Sequence, residues 1–144
     1  MTPDTKKVLV FGVFDGLHKG HKFFLKKAKK LGHYLIAVVT PDDFVKKLKN
    51  KTPKFSLQKR IAHLKKFDPV DEILVGDNEI GRWSAFKNSI PDIIAIGHDQ
   101  SLLESALKKY FKNRKQKPKL IKVDSFKPHV YKSTLLNKKK SRSV

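Results

Sequence analysis

The hydrophobic positions of this chain fall into five short runs that predict β-strands. Residues 7–14 are apolar apart from Lys7 and Gly12, and they are rich in β-branched and aromatic side chains. That pattern is typical of a strand buried on both faces of a parallel sheet. Further runs predict the other strands at residues 34–39, 71–75, 93–96 and 120–123.

Between the strands, apolar residues recur at the three- and four-residue spacing of amphipathic helices. Phe24, Leu25, Ala28 and Leu31 share one helical face, and Gly32 can end that helix. The same reasoning predicts helices at residues 21–31, 56–67 (capped by Ser56), 101–112 and 133–139, and another that begins at Asp42 and Asp43.

This alternation of strands and helices predicts an α/β fold. Strand–helix–strand units at this spacing form right-handed crossovers, so we expect a single Rossmann-like, doubly wound parallel sheet of about five strands with helices on both faces. One domain covers residues 1–144, of which residues 138–144 form a frayed basic tail. Residues 46–53 are polar and basic and are interpreted as a mobile loop, whereas residues 78–88 are ambiguous.

Composition narrows the classes of protein to which this chain can belong. There is no Cys among its 144 residues, which excludes a disulfide scaffold, a thiolate metal site and a Cys nucleophile. No apolar stretch approaches the length of a membrane span, and the N-terminal residues lack the apolar core of a signal peptide. We therefore expect no membrane insertion and a cytoplasmic location.

The chain carries a formal net charge of +20, from 33 Lys and Arg against 13 Asp and Glu. Such a charge attracts polyanions, including nucleic acid. Nucleic-acid surfaces favour Arg and interleaved aromatic rings, however, and the chain has only four guanidinium groups, at Arg60, Arg82, Arg114 and Arg142. Most of the charge is therefore interpreted as a solvated, Lys-rich surface, and nucleic acid is kept as an alternative partner.

The strongest chemical signal follows the first strand, where His18 and His21 flank Gly20. The N-terminus of a helix presents unpaired N–H groups and a partial positive charge, so it attracts phosphate. Gly20 allows a phosphate close to the backbone, and both imidazoles can donate hydrogen bonds to its oxygens. The alternatives are a helix cap with a packed surface His, or a metal site, although zinc would require a third protein ligand.

This His-x-Gly-His run resembles the signature of the nucleotidyltransferase superfamily of cytidylyl- and adenylyltransferases. Further segments resemble that family in its order and spacing along nearly the whole chain. They are the basic segment 49–51 with the Arg-bearing segment 56–60, the Gly-His-Asp segment 96–100, and the Ser-Thr segment 132–136 that opens the last helix. Together the four motifs identify the chain as a member of that superfamily.

The resemblance implies that a substrate phosphate attacks the α-phosphorus of a nucleoside triphosphate in line and that pyrophosphate leaves. No covalent enzyme intermediate is expected. Catalysis would be positioning plus electrostatic stabilisation of the charge that develops on the transferred phosphoryl group. A divalent cation, Mg²⁺, is expected to shield the triphosphate, and no protein ligand for it can be named from the sequence.

The resemblance also implies roles for individual residues. His18, His21 and Lys51 are the expected catalytic residues, because they would stabilise charge on the phosphates. The residues expected to bind the nucleotide are Phe14, Asp15, Gly16, Gly20, Lys49, Arg60, Gly97, Asp99, Ser133 and Thr134. Apart from the family, ordinary structural roles are available, such as a helix cap for Asp99 and an ion pair with a surface carboxylate for Arg60.

Departures from the family pattern bear on the substrates. Glycerol-3-phosphate and choline-phosphate cytidylyltransferases typically carry an Arg-Thr-x-Gly-Ile-Ser-Thr run before the last helix and a Trp after Gly-His-Asp. Residues 125–134 lack that Arg and Gly, and Gln100 replaces the Trp. Archaeal FAD synthases are similar over longer stretches, although they often carry Cys near the C-terminus. We therefore expect AMP transfer from ATP to FMN, with CTP-dependent transfer to glycerol-3-phosphate or a related phosphopolyol or sugar phosphate as the alternative.

The oligomeric state is suggested only by the resemblance. The family is often dimeric, so a homodimer is a possible assembly, although no self-complementary patch is evident. The intact His pair argues against a nucleic-acid-binding protein with a degenerate nucleotide pocket, which is the alternative from another functional class. Trp83 and Phe86, in residues 80–86, are interpreted as core residues rather than as an interface or a lid.

Overall fold

A parallel β-sheet of five strands forms the centre of this protein. A computed structural model describes residues 5–79 and 81–124. Its strands are β1 (Lys7–Gly12), β2 (Tyr34–Val39), β3 (Glu72–Val75), β4 (Ile93–Gly97) and β5 (Lys119–Val123). Its helices are α1 (Lys19–Lys29), α2 (Asp42–Lys49), α3 (Leu57–Lys65) and α4 (Ser101–Phe111), and a 3₁₀ turn spans Ser84–Phe86. The strand order is β3-β2-β1-β4-β5, with every neighbouring pair parallel.

Helices cover both faces of the sheet, because successive residues of each strand point to opposite sides. On one face, Val8 and Val10 of β1 pack in a cluster with Leu25 of α1 and Leu64 of α3. On the other face, Leu9 packs in a second cluster with the buried residues of α4 and of the 3₁₀ turn. The predicted Rossmann-like, doubly wound α/β fold is therefore confirmed, and every strand ends within two residues of its predicted bounds.

The prediction of a mobile loop at residues 46–53 is wrong in its first half. Residues up to Lys49 continue α2, which ends where Asn50 takes a left-handed conformation with a φ of 55°. Val45 anchors this helix, since its side chain is only 2% exposed. Lysine is itself a good helix former, so a Lys-rich stretch does not by itself indicate a loop.

Part of the predicted structure lies outside the described residues. The helix predicted at residues 133–139 and the basic tail at residues 138–144 both fall there. Within the part of the chain that is described, no helix has the length and the apolar character that crossing a membrane requires.

The two central strands separate and open a cleft at one edge of the sheet. β1 pairs with β2 over all six residues, but it pairs with β4 only through Val8 with Ile93 and Leu9 with Ile94. Beyond those pairs the carboxyl ends of β1 and β4 part. The winding direction also reverses here, because β2 and β3 lie on one side of β1, and β4 and β5 lie on the other. Such a switch point is where open α/β sheets bind ligands.

Arg60 of α3 fastens the strand ends to the helices that follow them. Its side chain is fully buried, and it is the one charged residue in the core of the described chain. Its Nη1 donates hydrogen bonds to the carbonyl oxygens of Val13 (3.0 Å) and Thr40 (2.7 Å). Its Nε donates to the carbonyl oxygen of Phe55 (3.1 Å), and its Nη2 forms an ion pair with the carboxylate of Asp42. One side chain thus connects the ends of β1 and β2 to the starts of α2 and α3.

We predict that Arg60→Met lowers the free energy of unfolding by about 3 kcal/mol, because three carbonyl oxygens lose their donor and Asp42 loses its partner. Chemical denaturation measures this. Lys59→Met is the matched control, since Lys59 is exposed on the same helix, and it should change stability by less than about 0.5 kcal/mol. Equal effects of the two substitutions would contradict the role of Arg60.

Candidate active site

The loop that joins β1 to α1 has a backbone conformation that few residues adopt. Phe14, Gly16 and Leu17 have positive φ angles of 53°, 80° and 34°. The ring of Phe14 is 3% exposed and lies against Gly12, where a Cβ atom would approach it to 2.7 Å. The absence of a side chain at Gly12 therefore allows Phe14 to be buried, and the buried ring holds the start of the loop.

Asp15 secures the other side of this loop. Its carboxylate accepts hydrogen bonds from the backbone N–H groups of Lys54 (2.6 Å) and Phe55 (2.9 Å), directly before α3. Burial acts to raise the pKa of Asp15, but these two hydrogen bonds and the nearby cations outweigh it and hold that pKa below its ordinary value. Gly16 lies near the same segment, since a Cβ atom on it would lie 3.6 Å from the Phe55 ring.

His18 and His21 cap the start of α1 with reciprocal hydrogen bonds. The Nδ1 of His18 accepts from the backbone N–H groups of Gly20 (3.1 Å) and His21 (3.4 Å), and the Nδ1 of His21 accepts from the N–H of His18 (3.2 Å). The two rings stack with their centroids 3.7 Å apart. Gly20 makes room for this cap, because a Cβ atom there would lie 2.9 Å from Cε1 of His18. The helix cap that was the alternative for the His pair is therefore observed, and it occupies two of the amides on which a phosphate was expected, whereas phosphate binding at this motif stays a prediction.

The groups left for an anion are the Nε2–H groups of the two imidazoles. A ring nitrogen that accepts a hydrogen bond carries no proton, so the proton of each neutral ring lies on Nε2. Burial, with a smaller contribution from His18, lowers the pKa of His21 to about 4. His21 is therefore neutral at pH 7 and keeps the tautomer that this cap requires.

A cavity of about 750 Å³ opens at the carboxyl ends of the strands, in the cleft between β1 and β4. It brings together a majority of the site residues predicted from the sequence. Those that line it are Phe14, His18, Gly20, His21, Lys49, Gly97 and Asp99. The three segments from which these residues come are far apart along the chain, and the parallel order of the strands places them at one edge of the sheet.

Other predicted site residues do not line this cavity. Asp15 and Gly16 face the segment before α3, and Lys51 is exposed two residues beyond the end of α2. Arg60 takes the structural role that was the alternative to a nucleotide contact, because its guanidinium is buried, bonded to backbone carbonyls and paired with Asp42. Ser133 and Thr134 lie outside the described residues.

Gln100 and Trp83 belong to the site although sequence reasoning did not place them there. Gln100 spans the cleft: its Oε1 accepts from the N–H of Gly97 (2.8 Å), and its Nε2 donates to the carbonyl oxygen of Phe11 (2.8 Å). Trp83 packs against the second core cluster, as expected, and it also lines the cavity, whereas Phe86, at 5% exposure, is a core residue. The sequence signal for Gln100 is its position directly after Gly-His-Asp at the end of β4, where the cytidylyltransferases carry Trp.

Known proteins match this chain in both sequence and structure. Residues 9–139 match the model of the Cytidylyltransferase-like family. The chain belongs to this family. FAD synthase of Thermococcus sibiricus is 39% identical over 127 residues, which are 88% of this chain and 83% of that protein. FAD synthase of Pyrococcus abyssi is 36% identical over 126 residues, which are 88% of this chain and 82% of that protein.

A solved structure extends the match to the fold. The crystal structure of a lipopolysaccharide core biosynthesis protein from Thermoplasma volcanium has a TM-score of 0.73 to this chain and is 31% identical to it. The match covers 85% of this chain and 99% of that one. The resemblance stated from four sequence motifs is confirmed, and the chain is a nucleotidyltransferase.

The charge of the cavity bears on how this nucleotidyltransferase would use a divalent cation. The charged residues that line the cavity are the basic Lys49 and Arg82 and the acidic Asp77, Glu79, Asp99 and Asp124. Among residues 5–79 and 81–124, no three acidic or His side chains cluster as a complete metal site. Mg²⁺ is commonly held by one or two carboxylates together with substrate phosphates and water. The acidic lining therefore fits a cation that arrives with the triphosphate better than it fits a bare triphosphate.

We predict that Gln100→Leu lowers the free energy of unfolding by about 1 to 3 kcal/mol, since the N–H of Gly97 and the carbonyl of Phe11 lose their partners. Urea denaturation measures this. Gln58→Leu, on the exposed side of α3, is the control and should be nearly neutral. If Gln100→Leu changed the free energy of unfolding as little as Gln58→Leu does, Gln100 would not hold β1 and β4 together.

We predict that the low pKa of His21 makes the fold less stable in mild acid. Between the ordinary His value of 6.5 and about 4, the unfolded chain takes up a proton at this residue and the folded chain does not. The contribution of neutral His21 to the free energy of unfolding is therefore fully present above pH 6.5 and is lost as the pH falls toward 4. Melting temperatures of the wild type and His21→Gln across this range test it, and parallel pH profiles would contradict it.

Proposed function

We propose that this protein is an FAD synthase, which transfers AMP from ATP to FMN and releases pyrophosphate. The observation that carries the proposal is the pair of imidazoles whose Nε2–H groups are free to donate in a cavity of about 750 Å³. Such a volume lies in the upper part of the range for ligand pockets, which suits a reaction of two substrates. The FAD synthases of Thermococcus sibiricus and Pyrococcus abyssi support FMN as the acceptor.

In this reaction a phosphate oxygen of FMN attacks the α-phosphorus of ATP. The new P–O bond forms as the bond between the α-phosphorus and its bridging oxygen to the β-phosphate breaks, and pyrophosphate carries away that electron pair. His18 and His21 donate hydrogen bonds from Nε2 to the α-phosphoryl oxygens as negative charge develops there. Because the backbone cap fixes both rings beforehand, this stabilisation costs little reorganisation in the transition state.

The remaining predicted residues would bind the phosphates of the triphosphate and neutralise their charge. Lys49, at the end of α2, lines the cavity and would neutralise the triphosphate. Lys51 would reach the β- and γ-phosphates from the segment after α2, and Ser133 and Thr134 remain expectations from the sequence. When bound, Mg²⁺ would shield the triphosphate charge and favour the departure of pyrophosphate. Asp99 stays a predicted nucleotide-binding residue, and the homodimer also stays a prediction.

The experiment that tests the proposal measures pyrophosphate release with Mg²⁺, crossing ATP and CTP with FMN, glycerol-3-phosphate, phosphopantetheine and nicotinamide mononucleotide. Turnover is expected with ATP and FMN. Turnover with CTP and glycerol-3-phosphate would overturn the proposal in favour of cytidylyl transfer. If no pair reacts, the proposal fails. Titration with RNA at two salt concentrations would then test the nucleic-acid alternative, whose binding should weaken steeply with salt.

We predict that His18→Asn lowers kcat/KM by about 100-fold or more, because it removes an Nε2–H donor to the transferred phosphoryl group. Asn can still accept hydrogen bonds at the helix N-cap, so its melting temperature should stay near that of the wild type. Lys22→Ala, exposed on α1, serves as the control and should keep full activity. Activity of His18→Asn within a few-fold of the wild type would remove His18 from the mechanism.

A further inference from the structure

Trp83 is the one Trp of the chain, and it both packs against the second core cluster and borders the cavity. It lies just before the 3₁₀ turn, between β3 and β4, and it lines the cavity. Its neighbour in the turn, Phe86, is 5% exposed, whereas Trp83 is half-buried. An indole that is held by the core on one side and borders a cavity on the other offers a ligand a flat apolar surface.

Three aromatic rings hold this indole in place. Phe11 of β1 meets it edge-on with the centroids 5.6 Å apart, and Phe86 stacks on it at 5.7 Å with an angle of 26° between the planes. Tyr110 of α4 approaches it at 5.9 Å. Aromatic pairs at these distances are favourable beyond the area they bury. The indole therefore loses little freedom when a ligand stacks on it, which is the benefit of a preorganised surface.

Trp83 shares the cavity with apolar residues of β1, of the 3₁₀ turn and of α4. Those residues are Phe11, Ala85, Leu102, Leu103 and Ala106. The charged residues of its own segment that also line the cavity are Asp77, Glu79 and Arg82. Leu102, in the first turn of α4, is 80% exposed, and a flat ligand on Trp83 would provide this side chain with an apolar contact.

We propose that Trp83 is the stacking residue for the isoalloxazine ring of FMN and that it determines the specificity of the enzyme for a flavin acceptor. The inference rests on the proposed function, because it deepens the assignment of FMN as acceptor. The isoalloxazine ring is broad, planar and largely apolar on its xylene side, as the surface around Trp83 requires. Phosphopolyols and sugar phosphates have no such ring, so they gain nothing from this surface.

The kinetic test compares Trp83→Leu and Trp83→Phe with the wild type, using pyrophosphate release at varied FMN and varied ATP. Trp83→Leu is expected to raise the KM for FMN about ten-fold or more while the KM for ATP stays within about two-fold. Trp83→Phe should recover part of the loss, since it keeps an aromatic face. A rise in the KM for ATP instead would assign the indole to adenine and overturn the inference, as would unchanged KM values for both substrates.

A matched control separates stacking from packing. Phe111 contacts Phe86 and Tyr110 and does not line the cavity, so Phe111→Leu disturbs the aromatic cluster without removing a ring that contacts Trp83. Its KM for FMN should stay within about two-fold of the wild type. If Phe111→Leu raised that KM as much as Trp83→Leu, Trp83 would have only a structural role.

A spectroscopic titration distinguishes this inference from the proposed function. Flavin emission, excited where Trp does not absorb, is quenched when an indole stacks on the ring. FMN and riboflavin are therefore expected to lose emission on binding to the wild type without ATP, and to keep it on Trp83→Leu. Turnover of ATP and FMN without this quenching would overturn the inference alone. Quenching without turnover would leave the flavin surface in place and overturn the proposed function.

Discussion

The buried guanidinium of Arg60 is the interaction on which the arrangement of the site depends. A charge in the core is costly unless its hydrogen-bonding groups find partners, and Arg60 finds them in the carbonyls of Val13, Thr40 and Phe55 and in Asp42. Each partner lies where a strand ends or a helix begins. The same contacts therefore fix the loop that carries the His pair and the start of α2, whose far end carries Lys49 to the cavity. Arg60 thus positions the elements that carry the residues predicted to bind phosphate.

The His pair shows how one set of side chains can serve the fold and the chemistry together. The Nδ1 atoms accept hydrogen bonds from backbone N–H groups at the start of α1. The donors that remain for an anion are therefore the Nε2–H groups of the rings. The cap also fixes the tautomer, and burial of His21 keeps that ring neutral at pH 7. Gly20 is needed because the His18 ring lies where a Cβ atom would be. The spacing of the motif thus suits the geometry of the cap by itself.

Local patterns in the sequence predicted the strands, most of the helices and the His pair, because each depends on residues within a few positions of one another. The roles of Arg60 and Gln100 depend on partners far along the chain. Arg60 binds Val13 from 47 residues away, and Gln100 binds Phe11 from 89 residues away. No periodicity or motif encodes such a contact. The core contact of Trp83 was predicted, but its place in the cavity lining was not, because an apolar residue looks the same in a sequence whether or not it also borders a cavity.

The net charge of +20 and the acidic lining of the cavity act at different distances. The surface lysines raise the concentration of anionic nucleotides around the protein, and that attraction is screened by salt beyond about 8 to 10 Å. Inside the described part of the cavity, four carboxylates outnumber Lys49 and Arg82, so a triphosphate without a cation would meet repulsion. A magnesium nucleotide carries less charge and presents a cation to those carboxylates. The same residues would therefore favour the metal-bound nucleotide over the free one. The flat apolar surface at Trp83 would recognise the second substrate by the ring of that substrate.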